Sequence, residues 1–402
     1  MPQGSVPGVM QECVDKRVAV AIVITAGFRE TGEEGTRLES EVLRIARSGG
    51  VRFVGPNCNG HFNTATRLFT TGPGEVRPGP LALVSQSGNF GGYILSRAVA
   101  KGMGFSKYVS SGNEADITVE DYLQYLADDD ETRVICAYIE GIKDGRRFFE
   151  LASGITRKKP IVVMKVGRTA EAARAVRSHT GALAGSDAVH DAVFRQCGVI
   201  RVDEVDELLD VAAALVRQPL PRGRRVGIMT SGGGFGVVAT DACRRHGLEV
   251  PLLTEETIQL MNKYLPPRWP HSNPVDMVGS LEGSYGCLGA LLKADNIDAI
   301  IAIGSVGFPS DFGGDSGAMS GSGTAEYVRM AVEAEVRLVD GLIERVDRHR
   351  KPLIITSPVA GTMSPALLKL QDNGFYVYRT PEEGARVVSY LVRYADYLGM
   401  VK

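Results

Sequence analysis

Leu83-Val84-Ser85-Gln86-Ser87-Gly88-Asn89-Phe90-Gly91 and Ile228-Met229-Thr230-Ser231-Gly232-Gly233-Gly234-Phe235-Gly236 are two versions of one passage. In each, an apolar run stops at a hydroxyl residue, small residues follow, and a Phe-Gly pair opens a stretch with helical spacing. Such text encodes a strand, a tight turn and a helix. Its recurrence predicts two related α/β domains, each with a small-residue turn at the carboxyl end of its first strand.

Outward from these passages, short β-branched runs alternate with helical patterns. Strands are predicted over Val18–Thr25, Arg52–Val54, Leu81–Ser85, Ser106–Ser110, Val134–Glu140, Ile161–Val166, Arg225–Thr230, Ile297–Ile303, Pro352–Ser357 and Tyr376–Arg379. Runs such as Ile161-Val162-Val163-Met164 are apolar throughout, as strands buried on both faces must be. Ser186–Cys197 and Asp203–Leu215 carry helical spacing between them. The predicted class is therefore α/β, with doubly wound parallel sheets. Gly/Pro-rich text at Thr70–Pro80 and Gln218–Gly223 reads as connectors, and Pro309–Thr324 as a mobile surface loop.

The 402 residues allow two to four domains, and 44% hydrophobic with 23% charged residues is the profile of a chain with real cores. A formal charge of -2 lacks the basic excess of a general nucleic-acid binder. The basic run Arg157-Lys158-Lys159-Pro160 reads as a helix ending. No apolar stretch approaches a membrane span, and the N-terminus has no signal-peptide pattern. The six cysteines are scattered, without the spacing of a zinc site or a disulfide framework, and several read as small core residues. A reducing cytoplasm is the expected compartment.

Five places carry candidate chemistry. A Gly/Ser turn that opens a helix points backbone N–H groups outward, where the helix dipole adds positive potential, so Ser85, Gln86, Ser87, Gly88 and Asn89, and again Ser231, Gly232, Gly233 and Gly234, are candidate phosphate holders. The alternative is that small residues are there only because the turn is tight. His179, within Ser178-His179-Thr180-Gly181, is a candidate nucleophile on a mobile loop; the plain alternative is an idle exposed histidine. Glu140 ends a buried strand at the ligand-facing edge of such a sheet and could fix an imidazole tautomer, or be merely solvated. Ser110–Asp116, with Gly112, Asn113 and Glu114 at its centre, either shapes an acyl or carboxylate pocket or caps the helix predicted over Ile117–Leu126. Asn273-Pro274-Val275-Asp276 reads as a rigid turn without chemistry, and no metal site is read anywhere.

Ser85–Gly91, Gly112–Asp116, Tyr138–Gly141, Ser178–Gly185 and Thr230–Gly236, in this order, resemble the nucleoside-diphosphate-forming acyl-CoA synthetases. The ADP-forming acetate–CoA ligase group resembles the chain more than succinyl-CoA synthetase does. The resemblance implies two flavodoxin-like domains, residues 71–220 and 221–402, preceded by a partial Rossmann-like CoA-binding domain in residues 1–70. It implies that His179 is phosphorylated in turnover, that Glu140 steadies it, that the two turns hold the phosphate, and that Gly112-Asn113-Glu114 falls near the acyl site. Acyl-CoA, ADP and phosphate would be interconverted with a carboxylic acid, ATP and CoA.

Two departures from the family pattern qualify this expectation. No ATP-grasp domain is legible, so ATP or ADP and Mg2+ are expected on a partner chain, in a hetero- or homo-oligomer. The first half of the CoA domain is not legible either, which puts CoA binding by the isolated chain at weak or none. Two rival readings stand beside the ligase: a non-catalytic binding or regulatory module of the same fold, and a flavodoxin-like or dinucleotide-binding oxidoreductase. Against the latter, no full GxGxxG with its acidic follower is present. The acid itself stays open among acetate, branched-chain and aryl acids.

Overall fold

The computed structural model describes residues 1–70, 76–180, 186–277, 281–304, 322–357 and 364–401, with backbone alone at 176–180, 281–282, 322–328 and 331. The chain forms two compact units, Met1–Ala212 and Ala213–Lys402.

The first unit opens with helices Val6–Asp15 and Glu33–Ser48, which pack on a two-stranded parallel sheet of β1 (Val20–Ile22) and β2 (Arg52–Val54). Phe28, Val42, Ile45 and Phe53 form its small core. The main sheet contains β3 (His61–Asn63), β4 (Leu68–Phe69), β5 (Pro78–Ser85), β6 (Phe105–Ser110), β7 (Val134–Ile139), β8 (Ile161–Lys165) and β9 (Ile200–Val202), in spatial order β4-β3-β6-β5-β7-β8-β9. From β6 to β9 the strands are parallel and ordered 2-1-3-4-5, the flavodoxin-like winding. β3 and β4 add an antiparallel ribbon outside β6. Val134 through Ile139 are all buried, because helices cover both faces of the sheet.

The second unit repeats the winding with β10 (Val226–Thr230), β11 (Val275–Asp276), β12 (Ala299–Ile303), β13 (Leu353–Thr356) and β14 (Val377–Tyr378), ordered β11-β10-β12-β13-β14 and parallel throughout. Period-two packing is visible along β12. Ile300 and Ala302 enter the core shared with helices Leu281–Lys293, Ser322–His349 and Pro365–Asp372. Ala299, Ile301 and Ile303 enter the core shared with helices Gly233–Arg245 and Pro381–Tyr397.

Several local expectations are corrected. Pro78-Gly79-Pro80, read as connector, belongs to β5; the ladder is irregular between Pro78 and Leu81, where a proline without an N–H is tolerated. Asn273-Pro274-Val275-Asp276 is a cis-proline approach into the edge strand β11. Ser322–Thr324, read as the end of a loop, starts the long helix, while the rest of that predicted loop lies outside the described residues from 309 to 321. In the basic run the N–H groups of Lys158 and Lys159 close the helix Gly145–Ile155 on the carbonyl of Ile155, while Lys159 Nζ donates to the carbonyls of Leu126 and Asp129 at the end of the helix Val119–Ala127. All six cysteines are free, and five are buried. Among the described residues no helix is long and apolar enough to cross a membrane.

Candidate active site

The repeated passage folds the same way twice. Ser85 Oγ donates to the carbonyl of Ser87 at 2.6 Å, and Thr230 Oγ1 to that of Gly232 at 2.8 Å. The next N–H, of Gln86 or Ser231, bonds the third-strand carbonyl opposite the hydroxyl residue: Tyr138 O at 3.2 Å and Ile303 O at 3.1 Å. Beyond the second strand, Ser111 N bonds Ser85 O at 2.8 Å and Met277 N bonds Thr230 O at 3.1 Å. The helices Gly88–Ala100 and Gly233–Arg245 start at these turns, on the carboxyl side of each sheet's first strand. Gly91 and Gly236 sit where each helix crosses its strand. A β-carbon at Gly91 would stand 2.7 Å from Ser85 Cβ, and one at Gly236 would stand 3.2 Å from Thr230 Cγ2.

The hydroxyls of Ser85 and Thr230 are thus spent inside the turn. Both residues are fully buried. Exposed backbone remains at the helix starts, led by Asn89 in one unit and by Gly233 and Gly234 in the other. Ser87 caps its helix by accepting from Phe90 N, whereas Gly232 has no side chain to do so. Ser231 Oγ lies against Gly304, whose φ of 59° places it in left-handed space.

Glu140 lies at the end of β7, beside β5, at the point where the strand order reverses and ligands bind in sheets of this type. It is 5% exposed. Gln86 reaches across to it: Oε1 accepts from the N–H groups of Glu140 at 2.6 Å and Gly141 at 2.9 Å, and Nε2 donates to Gly141 O at 2.7 Å. Gln86 therefore acts from behind, fixing the carboxylate's backbone. Lys165, at the end of β8, was not singled out in the sequence. Its Nζ donates to Glu140 O at 2.9 Å, and burial, with Arg201 nearby, pushes the ammonium down to about 8. The signal was legible: an apolar strand, Ile161–Met164, that ends in a cation.

The turn after β6 is held from several sides. Gly112 and Glu114 have φ of 62° and 55°, and a β-carbon at Gly112 would meet Pro56 O at 2.3 Å. Asn113 Nδ2 donates to Glu30 at 2.6 Å and Glu39 at 2.9 Å, while Arg29 and Lys143 both donate to Asn113 O. Ser111 Oγ donates to Glu114 Oε1 at 2.7 Å. Glu114 is 1% exposed, and burial raises its carboxyl to about 7 against that hydrogen bond and the charge of Lys143. Helix capping here falls to Thr118 with Asp121, not to Asn113 or Asp116; Asp116 instead takes Arg52 Nε and Phe53 N.

His179 is not on a loop. Its backbone belongs to the helix Ala170–Thr180, started by Thr169, whose hydroxyl accepts from Ala172 N. Alanine at 170, 172, 173 and 175 explains the helix. The His179 side chain and Gly181–Gly185 lie outside what the structure describes. Among the described residues no group of three His, Cys, Asp or Glu could hold a metal ion.

Two 2-1-3-4-5 sheets, each with a helix-opening turn at its switch point, define a tandem flavodoxin-like architecture. The profile of the succinyl-CoA ligase like flavodoxin domain matches residues 78–215. The chain is 39% identical over 401 residues to the ADP-forming acetate–CoA ligase II subunit alpha of Pyrococcus furiosus, covering 99% of this chain and 83% of that protein. It is 34% identical to the ADP-forming 4-hydroxybutyrate–CoA ligase of Nitrosopumilus maritimus, over 97% of this chain and 53% of that one. The dinucleotide forming acetyl-coenzyme A synthetase 1 of Ca. Korarchaeum cryptofilum, solved with phosphate and ADP, superposes with a TM-score of 0.83 at 32% identity, covering all of this chain and 82% of its own. The chain belongs to the nucleoside-diphosphate-forming acyl-CoA synthetases, and is similar to ADP-forming acetate–CoA ligase alpha subunits.

Proposed function

We propose that this chain carries the phosphohistidine half of a reversible acid–CoA ligase, in which acyl-CoA, ADP and phosphate are exchanged for a carboxylic acid, ATP and CoA. A phosphate oxygen attacks the thioester carbonyl carbon; the C–S bond breaks, CoA takes the proton, and an acyl phosphate forms. A nitrogen of His179 attacks phosphorus, the P–O bond to the acyl group breaks, and the carboxylate leaves. The phosphoryl group then passes to the terminal oxygen of ADP.

In this reading Ser85–Asn89 and Ser231–Gly234 frame the two N–H cradles that stabilise phosphoryl charge, and Glu140 accepts from one imidazole nitrogen so that the other stays nucleophilic. Gly112, Asn113 and Glu114 shape the acyl side. Domains at residues 1–70, 71–220 and 221–402 would divide CoA binding from the two ligase domains. ATP or ADP and Mg2+ belong to an ATP-grasp chain or domain. With no disulfide among the described residues, the reaction is assigned to the cytoplasm.

The observation that carries the reading is the duplicated turn, with its three matching hydrogen bonds at two switch points. The test is incubation of the chain with labelled ATP, Mg2+ and an ATP-grasp partner. An acid-labile, alkali-stable label should appear on the wild type and vanish in His179→Ala. Label retained in that variant, or no label on the wild type, would leave only a binding module of the same fold.

A further inference from the structure

At the amino edge of the second sheet, opposite the turn at Thr230–Gly234, the segments that lead into β10, β12 and β13 enclose a crevice of about 700 Å³. Six cations line it: Arg222, Arg224 and Arg225 before β10, and Arg348, Arg350 and Lys351 before β13, with His349 among them. The carboxylates facing them are Glu249, Asp295 and Asp298. Asp396 and Glu344, which pair with Arg224 and Arg348 from beside the crevice, bring the carboxylates to five, still one fewer than the cations, on a chain whose formal charge is -2.

The pairing within the crevice is uneven. Arg225 is spent on Asp298, through Nε and NH2 at 2.8 Å each. Arg224 reaches Asp396 at 3.4 Å, and Arg348 pairs with Glu344 one turn back on its helix. Arg222 and Arg350 have no side-chain partner among the described residues. The end of the helix Ser322–His349 attracts cations through its dipole, which accounts for Arg348 and His349. It reaches Arg350 as well, one residue past the helix and at a φ of 51°, but not Arg222, which comes from coil. Among the described residues, Arg222 and Arg350 thus leave two guanidinium groups without a carboxylate partner on two converging segments, a positive face that suits an anion. No Phe, Tyr or Trp is among the described lining residues, so the crevice offers charge rather than a large apolar ring.

We propose that this crevice binds a compact polyanion of the pyrophosphate or short-polyphosphate class, at a site separate from the carboxyl-edge turns. The experiment is calorimetric titration of the full 402-residue chain with tripolyphosphate at moderate salt. Micromolar binding of one ion per chain is expected in the wild type. Arg222→Glu/Arg350→Glu should weaken it at least about tenfold. Arg37→Glu/Arg44→Glu makes the same charge change on the exposed face of the helix Glu33–Ser48 and should stay within about twofold of the wild type. Arg350→Gly removes the guanidinium while suiting the backbone, so it folds at least as well and should still bind several-fold more weakly. No binding by the wild type, equal losses in both double variants, or full affinity in Arg350→Gly would each overturn the assignment.

Discussion

Gln86 Oε1 accepts the backbone N–H of Glu140 at 2.6 Å, so the first residue of one strand's turn fixes the last residue of the neighbouring strand. The candidate phosphate cradle and the candidate histidine partner are thereby parts of one rigid object. Gln86→Leu keeps the volume but leaves the N–H groups of Glu140 and Gly141 and the carbonyl of Gly141 unanswered. Such a loss costs about 1–3 kcal/mol. Turnover should drop by roughly one to two orders of magnitude while the melting temperature falls only a few degrees. A variant with wild-type turnover would show that the link is dispensable.

Gly91→Ala and Gly236→Ala are the same change at equivalent positions, yet they should differ. The new methyl at 91 meets Tyr108 Oη at 2.5 Å and Ser85 Cβ at 2.7 Å, atoms held by a packed sheet. At 236 the nearest atoms are Pro274 Cβ at 3.0 Å and Thr230 Cγ2 at 3.2 Å, which need give only a few tenths of an ångström. Overpacking costs about 1–3 kcal/mol, with position 91 at the upper end. Urea unfolding of both variants should rank them in that order; a reversed ranking would contradict the packing described.

Glu114 gives the fold a pH dependence of definite sign. Its carboxyl is raised from 4.5 to about 7 by burial, so the folded state holds the proton more tightly than the unfolded chain does. The stabilisation is complete below about 4.5 and is lost as pH rises through about 7. Glu114→Gln still accepts from Ser111 and carries no charge. The variant should gain stability relative to the wild type between pH 5 and pH 8, by up to about 3 kcal/mol. Parallel unfolding curves across that range would refute the shift.

Asn273 completes the edge of the second sheet with its side chain. Its Oδ1 accepts from Ile228 N at 2.9 Å, and its Nδ2 donates to Val226 O and Pro251 O, each at 2.9 Å. The amide thus stands in for a ladder residue just ahead of β11. Asn273→Ala should destabilise the second unit by about 2–4 kcal/mol, because three backbone groups lose their partner at once. Hydrogen exchange at Ile228 should accelerate; unchanged protection there would exclude this role.

The ten strands inferred from β-branched and apolar runs all appear, most plainly where both faces are buried, as along Val134–Ile139 and Ala299–Ile303. The missing ones are β3, β4, β9 and β11, two or three residues each and partly polar, such as His61-Phe62-Asn63; pairing with a neighbour, not composition, makes them strands. The turns were legible through their small residues, but their inner workings were not. Nothing in Ser85 or Gln86 alone says that one faces inward and the other reaches Glu140. Around His179 the glycines at 181 and 185 signal a loop, but the alanines before them carry the helix on through Thr180. Asn113 was weighed as a helix cap, whereas its partners Glu30 and Glu39 lie more than seventy residues away, beyond the reach of any local pattern.

The hydroxyl that closes each turn, from Ser85 or Thr230, makes its bond from inside the protein, to main chain. Serine and threonine are thus interchangeable there, and the neighbouring positions are released from holding the loop together. Ser87 and Asn89 in one half, against Gly232 and Gly234 in the other, are what that freedom permits: one scaffold, built twice, whose outward face differs from copy to copy.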